Sequence, residues 1–185
     1  MRIRFLFAVL LALVALPLFA EPRITNLSAI ANGAGSVTVR FALADAFRDP
    51  HTTQALQSGL ATSFTYVVEI YRGRPIWFDE GIGRSRIEVI ATFNSLTREY
   101  LLNYRRDRKL VRSETFNDLE TLQKRMTMID EPSLFDIGSR PPYKVKVRVK
   151  ADFGRGFLLY VIPWKISTRW REVRVTKAAE AAPAR

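Results

Sequence analysis

Apolar and polar residues alternate with a period of two over most of this chain, as they do in strands that bury one face. Val37, Val39, Phe41 and Leu43 alternate with Thr38, Arg40, Ala42 and Ala44. They follow the turn-forming stretch Ala31-Asn32-Gly33-Ala34-Gly35, which joins them to an earlier strand near Ile24 to Ile30 and predicts a hairpin. Phe64, Tyr66, Val68 and Ile70 are set against Thr65, Val67, Glu69 and Tyr71, and Ile87, Val89, Ala91 and Phe93 against Arg86, Glu88, Ile90 and Thr92. Past a break at Asn94, Tyr100, Leu102 and Tyr104 repeat the pattern. Val145, Val147 and Val149 close the series, alternating with Lys144, Lys146, Arg148 and Lys150. Many strands at short spacing, with little helix between them, predict a mainly β fold: an antiparallel β-sandwich of immunoglobulin-like architecture with two short helices.

Those helices are the two places where the period breaks. One is expected to begin after Pro50 and to stop at Gly59, whose missing side chain suits a C-terminal cap. The other has a capping-box start at Asn117 and Glu120, with Leu119, Leu122, Met126 and Ile129 at helical spacing. Met126 and Met128 read as packing residues rather than as an adaptable binding groove.

The ends of the chain carry different information. Arg2 and Arg4 precede an apolar run from Phe5 to Ala20, followed by Glu21 and Pro22. That order predicts a signal peptide over residues 1–20 and a protein exported to the periplasmic or extracellular side of the inner membrane. The run is shorter than the roughly 20 apolar residues of a spanning helix, although an uncleaved anchor is the alternative. One domain is expected over 21–175, and TKAAEAAPAR from Thr176 is expected to be a disordered tail.

With 48% hydrophobic and 25% charged residues, the chain has the composition of a folded domain. The absence of cysteine excludes disulfides, thiolate metal sites and a cysteine nucleophile. A formal charge of +11 calls for anionic surroundings, either an envelope surface or an acidic protein face. No nucleic-acid-binding signature is present, so nucleic acid is not the expected partner.

Candidate chemistry is sparse. The stretch YRGRPIWFDEGIGR, Tyr71 to Arg84, holds Trp77 and the adjacent carboxylates Asp79 and Glu80, the residue type a hydrolase uses. A glycosidase needs its two carboxylates about 5 Å or more apart and converging, whereas neighbours on a strand point to opposite faces. Pro75, Gly73, Gly81 and Gly83 instead predict a turn, with Trp77 capping the core and Asp79 or Glu80 paired with Arg74, Arg84 or Arg86. His51 is the only histidine, which leaves no triad or imidazole metal site and places it as a solvated residue near a helix start. Gly154-Arg155-Gly156-Phe157 lacks the lysine of a phosphate loop. No catalytic residue, metal or cofactor is assigned.

The basic residues carry more. Lys144, Lys146, Arg148 and Lys150 are expected on one strand face about 6.6 Å apart, and Arg105, Arg106 and Arg108 add to a positive surface. Next comes the apolar run Phe157 to Trp164, flanked by Arg155 and Lys165 and followed by Arg169, Trp170 and Arg171. It reads as a buried strand that pairs with the Val145 strand through a turn at Gly154 and ends at Pro163, with Trp164 and Trp170 at a rim. Docking of the run on a bilayer is the alternative.

Four segments together carry a resemblance: Ser58 to Arg72, then Trp77 and Asp79, Phe93 to Tyr100, and Phe116 to Leu122. In their order and spacing, with Lys165 to Trp170 near the end, the chain resembles the bacterial domain of unknown function 4390 family over most of its length. The resemblance implies an exported or membrane-associated, mostly β protein without an established activity, with some relatives encoded near membrane sensor kinases. It supplies no catalytic residues. The expectation is therefore a non-catalytic envelope module whose basic face meets an acidic protein or anionic surface. A hydrolase using Asp79 or Glu80 is the first alternative. The second is a peripheral membrane-binding protein, accessory to a sensor system.

Overall fold

The computed structural model describes residues 21–73, 79–158 and 162–178, with the backbone alone for 154–158 and 162–166. The N-terminal segment 1–20, Trp77 with Arg74, and the tail from 179 lie outside the described residues, as does the side chain of Trp164.

The described chain forms two sheets that share one core. β1 (Arg23–Ala31) and β2 (Ser36–Ala44) make the expected hairpin, and β7 (Met128–Asp136) and β11 (Thr176–Lys177) complete the smaller sheet in the order β11-β1-β2-β7. The larger sheet is built on β3 (Thr62–Arg72), β4 (Glu80–Asn94), β5 (Glu99–Arg106), β6 (Lys109–Phe116), β8 (Val145–Leu158) and β10 (Arg171–Arg174), in the order β10-β8-β3-β4-β5-β6. β9 (Ile162–Ser167) pairs with the far half of β8. All pairings are antiparallel except β1 with β11. The fold is thus the mainly β, antiparallel sandwich expected, with two helices, α1 (Pro50–Gln57) and α2 (Leu119–Thr127).

Alternation along the strands places the core. Val37, Val39 and Phe41 from β2 join Phe64, Tyr66, Val68 and Ile70 from β3 in a single buried cluster, and the Phe41 and Tyr66 rings meet edge to face at 5.2 Å. Tyr66 is fully buried, and its hydroxyl donates to the Met126 carbonyl at 2.7 Å, which ties the end of α2 to the larger sheet. Desolvation pushes this phenol far above its ordinary range, so it remains a neutral donor. Gly83 is required where the sheets approach closely: a Cβ there would meet the Phe135 ring at 3.1 Å. Gly35, with φ +83°, closes the β1–β2 turn where a side chain would strike the Gly138 carbonyl.

Several details depart from the sequence reading. The cap of α2 is Asp118, whose carboxylate accepts the Thr121 N–H, rather than Asn117. Leu122 and Met126 are buried as predicted, but Ile129 belongs to β7, and Met128 is 52% exposed. β6 and β7 were not foreseen as strands. β8 runs through Gly154 rather than turning there; its register slips between Phe153 and Arg155, the irregularity that a glycine in a strand permits. Pro163 lies inside β9 opposite Phe157 instead of ending the pairing, tolerable because β9 pairs with β8 alone and an edge position has no need of the missing N–H. The stretch from Thr176 stays paired at first: β11 lies against β1, and the Ala178 N–H donates to Ala31.

The two methionines provide a test of this packing. Met126→Ala is expected to cost about 3 kcal/mol in denaturant unfolding, as deletion of a fully buried side chain does, while Met128→Ala is expected to stay within about 0.5 kcal/mol. Equal effects would contradict the placement of α2.

Candidate functional site

The outward residues of β3 and its neighbours form a densely charged surface. Cross-strand register sets Glu69 of β3 opposite Arg84 on β4 and Arg148 on β8, and Arg148 opposite Glu172 on β10. Charges thus alternate in sign across four strands. Arg148 donates to Glu69 at 2.7 Å, and Arg84 lies 3.5 Å from the other Glu69 oxygen. Lys146 donates to Glu172 at 2.6 Å, and Lys150 lies 3.4 Å from Asp152. Lys144 sits off the strand, in a 3-10 turn over Pro142–Lys144, above the Tyr143 ring at 5.8 Å.

Three members of the expected stripe, Lys146, Arg148 and Lys150, are therefore in ion pairs, two of them with carboxylates from other strands and Lys150 with Asp152 of its own strand. Aromatic rings anchor them. The Arg148 guanidinium lies 4.7 Å from the Trp170 ring and 5.3 Å from that of Tyr71, and Lys150 lies 5.3 Å from Trp170. The Tyr71 hydroxyl donates to Glu172. Lys146, and after it this phenol, hold the Glu172 carboxyl below its usual range, while burial, followed by the bond to Glu172, pushes the Tyr71 phenol up.

Two clefts open on this surface. The first, of about 410 Å³, is lined by Glu69, Tyr71, Asp79, Gly81, Arg84 and Arg148 among others. The second, of about 560 Å³, is lined by Arg84, Arg86, Glu88, Asp107 and Arg108, so Arg84 borders both. Arg86 is paired with Glu88 at 2.9 Å. Asp107 accepts from the Ser85 hydroxyl at 3.1 Å and from the Arg86 N–H at 2.8 Å. These bonds hold the two-residue β5–β6 turn, in which Asp107 and Arg108 both have positive φ, 49° and 70°. Arg105 and Arg108 make no ion pair among the described residues, and Arg84 is 67% exposed. This corner of the sheet thus carries cations without an ion-pair partner among the described residues.

Not every basic residue of the expected surface belongs to it. Arg106 turns inward and pairs with the buried Glu131 of β7 at 3.0 Å, where the Tyr104 hydroxyl also donates. It bridges the two sheets. Arg84, Arg86, Glu69 and Glu172 were not read as parts of a surface from sequence. An acid between Arg106 and Arg108 is the local sign of a tight turn there, whereas the pairing of Glu69 with Arg148 spans 79 residues of chain.

Asp79 and Glu80 stand where the expected connection from β3 enters β4 and differ in their surroundings. Arg72 and Glu80 are register partners and form an ion pair at 2.5 Å, as residues directly opposite on adjacent strands do, while Arg74 of the expected pairing lies outside the described residues. Asp79 alone of the two lines the first cleft. His51 lies in the first turn of α1, which Asp49 caps by accepting the His51 N–H. Among the described residues no group of three histidines or acids is placed to hold a metal ion, and no helix is long and apolar enough to cross a membrane.

Comparison with known proteins adds one match: a family model described as a domain of unknown function covers residues 20–173. No curated protein and no solved structure matches the chain.

Glu172 makes the charged surface measurable. Its folded carboxyl titrates below the ordinary value of 4.5, so the stability it contributes is full above that pH and is lost as pH falls through the lower folded value. In Glu172→Gln the urea midpoint is expected to fall less steeply with acidification below pH 4.5 than in the wild type. Unchanged steepness would place the acid-sensitive pairs elsewhere.

Proposed function

The chain belongs to this family, DUF4390, and from that footing we propose that it is a non-catalytic binding module of the cell envelope that presents the outer face of its larger sheet to an anionic partner. The observation that carries the reading is the corner of the larger sheet where Arg105 and Arg108 make no ion pair among the described residues, beside Arg84, which is 67% exposed although it is paired with Glu69. Exposed guanidinium groups at such a corner draw an acidic protein face or anionic envelope surface from a distance and meet it with paired donors. The ion pairs behind them, Arg148 with Glu69 and Lys146 with Glu172, hold the sheet surface in a fixed shape. Export across the inner membrane, supported by the basic and apolar N-terminal run, would bring this face to an acidic environment.

The reading separates free from paired cations. Replacing Arg105 and Arg108 with glutamine is expected to weaken binding to immobilised polyaspartate by roughly 30-fold at low salt, at about 1 kcal/mol for each cation at an anionic surface. Lys146→Gln with Lys150→Gln is expected to weaken it less, because those charges already offset carboxylates. Added salt mimics the first pair of changes, since exposed charges are screened beyond about 8 Å at physiological ionic strength. Salt-independent retention, or none, would remove the reading.

A further inference from the structure

Four strands stand at the ends of the two sheets, and three of them are blunted. β11 is two residues long and β10 four. β7 carries Pro132 and a Ser133 of positive φ, beside a register shift against β2. Short length, proline and irregularity are the means by which an edge is kept from pairing with another chain. β6 differs. It runs for eight residues, KLVRSETF, without proline or glycine, and among the described strands it pairs with β5 alone. Its one irregularity is the extra residue Val111 near its start, where Tyr104 faces Arg112 and Arg105 faces Leu110. Leu110 and Val111 are 59% and 49% exposed.

The order of charges along β6 decides what this edge accepts. Two copies of one strand can pair antiparallel about a two-fold axis perpendicular to the sheet, which sets one residue opposite itself and its two neighbours opposite each other. An axis through Arg112 or Glu114 opposes like charges. An axis through Ser113 sets Arg112 of each copy opposite Glu114 of the other, so two opposite-charge pairs form, and Val111 meets Thr115. Within one chain Arg112 already lies 3.1 Å from Glu114, and Arg125 of α2 donates to the same carboxylate from two nitrogens, each at 3.0 Å. Arg112 and Glu114 therefore stand in one row on the same face of the strand, and a second copy would continue that row with alternating sign. Charged edges discourage pairing when like charges meet; the order Arg-Ser-Glu is instead the complement of its own reversal.

We propose that β6 is a self-association edge, at which two copies of the chain pair antiparallel about Ser113 and join their larger sheets into one continuous sheet. A second copy is favoured over an unrelated extended peptide because the charges of the strand complement themselves. The contact is a single strand pair, so the dimer is weak and concentration-dependent. It does not rest on the binding of an anionic partner.

Residues directly opposed on antiparallel strands have Cα atoms about 4.5 or 5.5 Å apart, a separation that a disulfide spans. The chain contains no cysteine, so Ser113→Cys in the full-length protein provides a sole thiol at the proposed axis. The Ser113 hydroxyl donates to the Asn103 side chain at the surface, and its replacement leaves the core intact. Oxidation with copper–phenanthroline is expected to convert Ser113→Cys to a covalent dimer, the more so at higher protein concentration. Thr115→Cys, also exposed, would lie four residues, or about 14 Å, from its counterpart and is expected to cross-link far more slowly. In sedimentation, Arg112→Glu is expected to weaken the dimer about ten-fold, and Arg112→Glu combined with Glu114→Arg to restore it, because the exchanged charges still complement their reversal. Sedimentation as a monomer at every concentration would overturn the proposal. So would equal cross-linking at positions 113 and 115, which association through any other surface would give. Polyaspartate takes no part in these measurements, so a failure of the polyanion test leaves their outcome standing.

Discussion

Strand β3 is hydrogen-bonded along nearly its whole length on both sides, to β4 from Thr62 to Arg72 and to β8 from Phe64 to Arg72, and this double pairing constrains the rest of the molecule. Its two-residue period sends Phe64, Tyr66, Val68 and Ile70 into the core and Thr65 and Glu69 outward. A slip of one residue would carry Glu69 between the sheets and Tyr66 into water, so the register is held by burial itself. Once Glu69 is fixed, Arg84 and Arg148 follow as its neighbours. Val67, on the outward side but only 2% exposed, has Arg86 and Lys150 as cross-strand neighbours, side chains long enough to cover it with their aliphatic stems. One alternation therefore sets both the interior and the charged exterior.

The exterior differs from a plain positive strip in a physically meaningful way. Each exposed pair contributes little to stability, typically below about 1 kcal/mol, and salt weakens it. What the pairs do is restrict long side chains: Arg148 is held by Glu69 while lying within cation–π reach of Tyr71 and Trp170, so its guanidinium has few places to go. Neutralisation in the middle of the sheet leaves Arg105 and Arg108, at the β5–β6 turn, among the cations without an ion-pair partner in the described residues. The net charge of the chain thus says less about the location of a binding surface than the strand order does.

The sandwich was legible wherever one face of a strand is buried and the other wet, as in β2, β3, β4, β5 and the first half of β8. It was hidden where that contrast fades. β6 is an edge strand with Leu110 and Val111 exposed, which blurs its alternation. β7 carries Pro132 and a Ser133 of positive φ beside a register shift, and its first buried residue, Ile129, falls in phase with the preceding helix. The charged surface was half legible. Its cations were visible along β8, but their partners Glu69 and Glu172 come from other strands, and Arg106 looked like Arg105 and Arg108 until the inward turn of its strand position was known.

The parallel contact between β11 and β1 ties nearly the last described residues to the first strand, with Thr176 donating to Ala29 across 147 positions of chain. Until those residues exist, β1 keeps an open edge, and β8 likewise waits for β9 and β10. A growing chain therefore cannot complete either sheet before its synthesis is nearly over, and in that interval it presents unpaired strand edges of the kind that recruit other chains. Such long-range closure slows folding and favours handling of the emerging polypeptide in an extended state until its last strands arrive.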